Sequence, residues 1–130
     1  RSNDFSKISF AQFIRDQVST IQKNSFTDLN ADINYDLQPL FLDINQALPC
    51  ALIVNELVSN SFKHAFAAHP SPKLWISLRK FESLIVLTIK DNTLSMGLNL
   101  VENLSKQIDA TCSFKNDNGF KYTLSFRNSF

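Results

Sequence analysis

The stretch Asn55-Glu56-Leu57-Val58-Ser59-Asn60-Ser61-Phe62-Lys63-His64-Ala65-Phe66 constrains the fold more than any other part of the chain. At about 100° per residue, Ala51, Val54, Val58, Phe62 and Ala65 fall on one side of a helix, which must be the buried side. Glu56, Asn60 and Lys63 fall within one narrow stripe on the opposite side, with His64 at its edge. Asn45 is a plausible N-cap, with Asp43 competing for the role, and Pro49 is tolerated because it falls in or just after the first turn. The helix is expected to run to about Ala67 and to stop before Pro70-Ser71-Pro72.

The flanking segments supply a second layer. Ser9 and Gln12 have capping-box spacing, with Ile8 and Phe13 as the matching staple. The helix they open carries Phe10, Phe13, Ile14, Val18 and Ile21 at helical period and frays near Lys23. From Phe26 to Leu42 the pattern alternates, with Leu29, Ala31, Ile33, Tyr35 and Leu37 on one side, a bend at Pro39, and 40–42 extending or bridging onward. Lys73–Arg79 and Leu84–Asp91 read as a hairpin, and Leu84-Ile85-Val86-Leu87, apolar on both faces, marks the second strand as central. Met96–Ile108 reads as an amphipathic helix with Leu98, Val101, Leu104 and Ile108 inward. Thr111–Lys115 and Phe120–Phe126 form a last hairpin turning at Asn116-Asp117-Asn118-Gly119. The sum is one domain over 1–130, a two-layer α/β (α+β) sandwich: a mixed sheet with helices on one face.

The polar stripe suits a metal-bound phosphate. Glu56 can orient a water or hydroxyl, Asn60 can offer its carbonyl oxygen to Mg²⁺, and Lys63 can meet phosphate charge. Spacing alone equally describes the solvated face of an ordinary amphipathic helix. The residue identities separate the two readings. Ala47 through Phe66, ungapped and with its polar residues included, resembles the N box of sensor histidine kinases. These belong to the ATPase superfamily shared with DNA gyrase, the ninety-kilodalton heat-shock chaperone and mismatch-repair proteins. The ending Lys63-His64-Ala65-Phe66 resembles the histidine-kinase branch more than an anti-sigma-factor kinase or a chaperone-like ATPase. The resemblance implies the left-handed, Bergerat-type ATP-binding fold over nearly the whole chain. It also implies Glu56 as general base or water-positioning group, Asn60 as Mg²⁺ ligand, and Lys63 and His64 near the phosphates.

A second motif of that family, Asp-x-Gly-x-Gly, follows its central strand, and its aspartate accepts a hydrogen bond from the adenine amino group. Asp91, in Ile89-Lys90-Asp91-Asn92, matches that aspartate; without the N box it would read as a turn residue. Thr93 and Ser95 then stand where glycines are expected. Ser95-Met96-Gly97-Leu98-Asn99-Leu100-Val101 follows at once and resembles the later glycine box, with Gly97 allowing close approach of the triphosphate to a helix N-terminus. The ATP lid expected between Asn92 and Ser95 is missing. Two readings stay open: true loss of the lid with poor phosphate enclosure, or a join across a mobile lid. The survival of Glu56, Asn60, Lys63, His64, Asp91 and Gly97 favours the second.

Near-balanced charge, +1 over 130 residues, implies no surface that seeks polyanions and does not favour nucleic acid. Twelve phenylalanines suggest a core of rings that need no hydrogen-bond partner. Cys50 and Cys112 lack metal-ligand spacing and read as buried free thiols in a reducing cytosol, with a disulfide as the alternative. Cys50, near the start of the long helix, is also a place where a lowered thiol pKa is possible. No run approaches the roughly 20 apolar residues that span a bilayer. The start, Arg1-Ser2-Asn3-Asp4 without a methionine, reads as the edge of a domain cut from something longer.

The expectation is therefore the ATP-binding catalytic domain of a two-component sensor histidine kinase. It would bind Mg²⁺-ATP and deliver the γ-phosphate to a histidine on a separate dimerisation domain, and through it to a response regulator. Neither His64 nor His69 fits the acceptor role. The compartment implied is the cytoplasm, or the cytoplasmic part of a membrane-bound sensor. The alternative is a degenerate, nucleotide-free phosphotransfer or interaction module on the same fold.

Overall fold

The computed structural model describes residues 7–24, 31–65, 71–92, 104–116 and 119–129. In chain order they form β1 (Lys7–Ser9), α1 (Phe10–Lys23), β2 (Asp32–Leu37), β3 (Phe41–Asp43) and α2 (Ile44–Asn60), which continues into a π-helical turn (Ser61–Ala65). β4 (Lys73–Phe81), β5 (Leu84–Asp91), β6 (Thr111–Asn116) and β7 (Phe120–Arg127) follow. A five-stranded sheet has the order β2-β4-β5-β7-β6, so β5 is central as expected, though its outer side is half-exposed rather than buried. β2 runs parallel to β4 and every other pairing in that sheet is antiparallel.

Period-two alternation divides the sheet into two unlike faces. Leu74, Ile76 and Leu78 of β4, Ile85, Leu87 and Ile89 of β5, and Tyr122, Leu124 and Phe126 of β7 are buried on the inner face. They join Phe10, Ile14 and Val18 of α1 and Ile53, Val54, Leu57 and Val58 of α2 in one core. Burying each such side chain contributes about 1.5–3 kcal/mol. A one-residue slip of β5 would put Val86, Thr88 and Lys90 in their place, which fixes the register. The outer face is polar and half-exposed, with Trp75, Ser77, Thr88 and Lys90 at its centre.

Several local expectations are corrected. Ser9 is the N-cap of α1, but its side chain makes no capping bond; Gln12 donates instead to Asp16 Oδ1 at 2.9 Å. Phe13 is 39% exposed and lies over the Phe10 ring rather than in the core. Asp43, not Asn45, caps α2, its Oδ1 accepting from the Asn45 backbone N–H at 2.7 Å. A carboxylate one residue outside the helix meets the unsatisfied amides, whereas Asn45 already lies within it. Residues 41–43 do not extend β2; they pair with β1 in a separate antiparallel ribbon. β4 runs on to Phe81, and Glu82 takes a positive φ of 58° to close the β4–β5 turn without glycine. Of the expected helix Met96–Ile108, residues 104–106 are helical, Leu104 is buried and Ile108 packs on the core. Its earlier part, including Gly97, and the expected lid junction lie outside the described residues.

Candidate functional site

α2 delivers the polar stripe to one edge of the core. Glu56 and Asn60, one turn apart, are half-buried, and neither makes a side-chain hydrogen bond among the described residues. The buried side of the helix is broader than the periodicity predicts. Cys50, Ile53, Leu57 and Ser61 join Val54, Val58 and Phe62 within it, while Ala51 is only half-buried. This rotates the core side toward Asn60 and brings the stripe to the boundary between core and solvent.

At Ser61 the helix changes to i→i+5 bonding, a widening often found at functional sites. Lys63 lies in this wider turn and is exposed. The backbone of His64 belongs to the same turn, and its side chain lies outside the described residues.

Ser61 had no predicted role, yet it joins the two motifs. Its Oγ lies 2.6 Å from Asp91 Oδ2 and 3.1 Å from the Leu57 carbonyl, so one hydroxyl hydrogen faces two acceptors. The shorter, charge-assisted bond to the carboxylate is the stronger. Asp91 is 2% exposed and Ser61 equally so. Asn60 therefore immediately precedes the residue that grips Asp91, across a sequence separation of 30. The signal for Ser61 was a hydroxyl at a core position of the helix, where a side chain must find an internal acceptor.

Gly119 is the second residue that sequence reasoning undervalued. The turn chemistry explains its positive φ of 138°, but a Cβ there would also stand 2.1 Å from the Asp91 carbonyl oxygen and 2.8 Å from Asn92 Cα. The backbone of Gly119 thus rests directly on the end of β5. Asn92 is committed structurally. Its Nδ2 donates to the Ser71 carbonyl at 2.8 Å, and its Oδ1 accepts from the Lys73 N–H at 2.9 Å. These bonds hold the exit of β5 against the entry of β4.

Among the described residues, no group of three or more His, Cys, Asp and Glu could hold a metal ion. Cys50 and Cys112 are free thiols. Burial pushes the Cys50 thiol up to about 12, opposite to the lowering its place near a helix start would allow. No helix among the described residues is long and apolar enough to cross a membrane.

No family model matches the sequence, and no curated protein matches it. Solved structures do match the fold. The histidine kinase domain of the Erythrobacter litoralis EL346 blue-light activated histidine kinase superposes with a TM-score of 0.82 at 15% identity, over 94% of this chain and 62% of that one. The Acinetobacter baumannii histidine kinase AdeS matches with a TM-score of 0.72 at 15% identity, over 92% of this chain and 65% of that one. The catalytic domain of histidine kinase ThkA, in a nucleotide-free form, matches with a TM-score of 0.77 at 10% identity, over 94% of this chain and 95% of that one. The chain thus spans less than two thirds of the EL346 and AdeS chains and nearly all of the ThkA domain. What the sheet order, the helix layer and these superpositions together establish is that this chain has the fold of a histidine kinase catalytic domain.

Proposed function

We propose that the chain is the nucleotide-binding catalytic domain of a two-component sensor histidine kinase. It takes Mg²⁺-ATP and presents the γ-phosphate to a histidine on a separate dimerisation domain that serves a response regulator. The observation that carries this reading is the buried Ser61–Asp91 bond, which brings the carboxylate at the end of the central strand against the turn that follows Glu56 and Asn60.

The residues present suit that ligand. A buried carboxylate anchored by a hydroxyl is a fixed acceptor, as reading an exocyclic amine requires. Asp91 would take that amine, Asn60 would give its carbonyl oxygen to the metal, and Lys63 and His64 would neighbour the phosphates. Gly97 would allow backbone approach to them. The chemistry supplied by bound Mg²⁺-ATP is a transferable phosphoryl group whose charge the metal partly neutralises. Glu56 would accept a proton from, or orient, the attacking group. The cytoplasm, or the cytoplasmic side of a membrane-bound sensor, is where such a domain would meet ATP.

The test is calorimetric titration of the chain with Mg²⁺ and a non-hydrolysable ATP analogue, beside Asp91→Asn and Asn60→Ala. Saturable binding by the parent chain is expected, weakened at least tenfold by Asp91→Asn. Asn60→Ala should remove the Mg²⁺ dependence. A folded parent chain that takes up no nucleotide would instead be an interaction or phosphotransfer module on the same fold.

A further inference from the structure

The face of the sheet turned away from the helices carries one line of residues, one from each strand. The register sets Asn34 opposite Trp75, Trp75 opposite Lys90, Lys90 opposite Lys121, and Lys121 opposite Lys115. Directly opposed residues on neighbouring strands point to the same side, so three lysines from β5, β7 and β6 stand abreast. Strand spacing of about 4.8 Å puts roughly 10 Å between the first and the last. Like charges directly opposite one another are destabilising, so this row is a cost to the free fold.

Of the two carboxylates that β2 brings to this face, Asp32 stands opposite Lys73, two strands from the row. Asp36 is engaged by Arg79, and among the described residues none of the three lysines is ion-paired. Instead the Lys90 ammonium lies 5.2 Å from the centroid of the Trp75 ring. A shallow cavity of ≈ 330 Å³ opens beside that ring, lined by Asn34, Trp75, Thr88, Lys90 and Lys121 among others.

We propose that this face docks an acidic helix of a partner protein. Its carboxylates, repeating once per turn, would lie along the lysine row, with an apolar side chain seated in the cavity by Trp75. A helix advances about 5.4 Å per turn, so over two intervals it departs from the strand spacing by only about 1 Å. The flexible lysine stems absorb that difference. A half-buried tryptophan beside an open cavity gives such a helix an apolar anchor, and the neighbouring lysines give it a polar surround. A compact phosphate would instead want donors converging on a point, and these diverge along a line. The row lies on the opposite side of β5 from Asp91, so the proposal stands apart from nucleotide binding.

Trp75 is the only tryptophan of the chain, which makes its fluorescence a reporter for this face. The experiment titrates the chain at low salt with an alanine-based helical peptide bearing glutamates at i, i+4 and i+7 and one leucine beyond them. A saturable change in Trp75 emission is expected. It should weaken at least tenfold between about 50 mM and 500 mM salt as screening shortens, and at least tenfold in Lys121→Glu. That variant turns two like-charge neighbours into opposite-charge pairs, so its fold should hold, and far-UV circular dichroism checks this. No saturable change with the peptide overturns the proposal, and so does equal binding by Lys121→Glu. A response to tripolyphosphate without one to the peptide also overturns it, giving the face to phosphates instead.

Discussion

Ser61 Oγ and Asp91 Oδ2 meet at 2.6 Å with both residues almost wholly removed from solvent. This one contact ties the end of α2 to the end of the central strand. Replacing the hydroxyl by a methyl-sized group leaves the carboxylate in place without this donor. Ser61→Ala should cost about 1–3 kcal/mol in urea denaturation, the range for a buried polar group left short of a partner. Under the proposed function it should also weaken adenine nucleotides. A loss of stability with nucleotide affinity untouched would make Ser61 a structural residue only.

Gly119→Ala should be among the most damaging single changes in the chain. The new Cβ would meet backbone atoms of Asp91 and Asn92 that no rotamer can move, at a φ that side chains rarely adopt. A loss of more than about 2 kcal/mol is expected. Thermal melting measures it, and a melt within a degree or two of the parent would show that Gly119 is not seated on the end of β5.

Asp43 caps α2 at its N-terminus, so Asp43→Ala should cost about 1 kcal/mol and Asp43→Asn much less. Asn45→Ala serves as the contrast. If that change proves the costlier of the two, the cap has been assigned to the wrong residue.

The Cys50 thiol has a folded pKa raised from 9.0 to about 12 by burial. The unfolded chain therefore releases this proton first on the alkaline side. The contribution to stability is whole below about pH 9 and is lost as pH rises toward 12, at up to about 1.4 kcal/mol per unit. Unfolding measured from pH 8 to 10.5 should fall more steeply for the parent than for Cys50→Ala. Parallel curves would mean that the thiol is not withdrawn from water. The native chain should also react slowly at Cys50 with thiol reagents.

The strands were readable because alternation is a local signal. Ile33, Tyr35 and Leu37 share one side of β2, and Leu74, Ile76 and Leu78 share one side of β4. β5 was placed at the centre by its two apolar faces alone. The β1–β3 ribbon escaped because Lys7–Ser9 has too few residues to show a period and finds its partner far along the chain. In the site, Glu56 and Asn60 were singled out by their spacing and, with Asp91, by the resemblance to the histidine-kinase motifs. Ser61 and Gly119 were not, since each matters through an atom brought near by the fold. The broad buried side of α2 was misjudged for the same reason: a helix wedged against both α1 and the sheet buries more of its circumference than periodicity implies.

The parallel pairing of β2 with β4 has a kinetic consequence. The β4–β5 and β6–β7 hairpins close over short turns, but β2 can dock only after the whole crossover carrying β3, α2 and the π-helical turn has folded back. Loop closure over that span precedes its reward, so β2 should join late. Leu37→Ala should then speed unfolding and leave the folding limb of the chevron almost unchanged, whereas Leu87→Ala should slow folding. A folding limb that slows equally for both would place β2 in the nucleus. Because α2 travels with that crossover, a chain with only its hairpins formed would hold Asp91 without Ser61 beside it. The Ser61–Asp91 contact would come into being at the final step, and any ligand that needs both residues would select for chains that have completed folding.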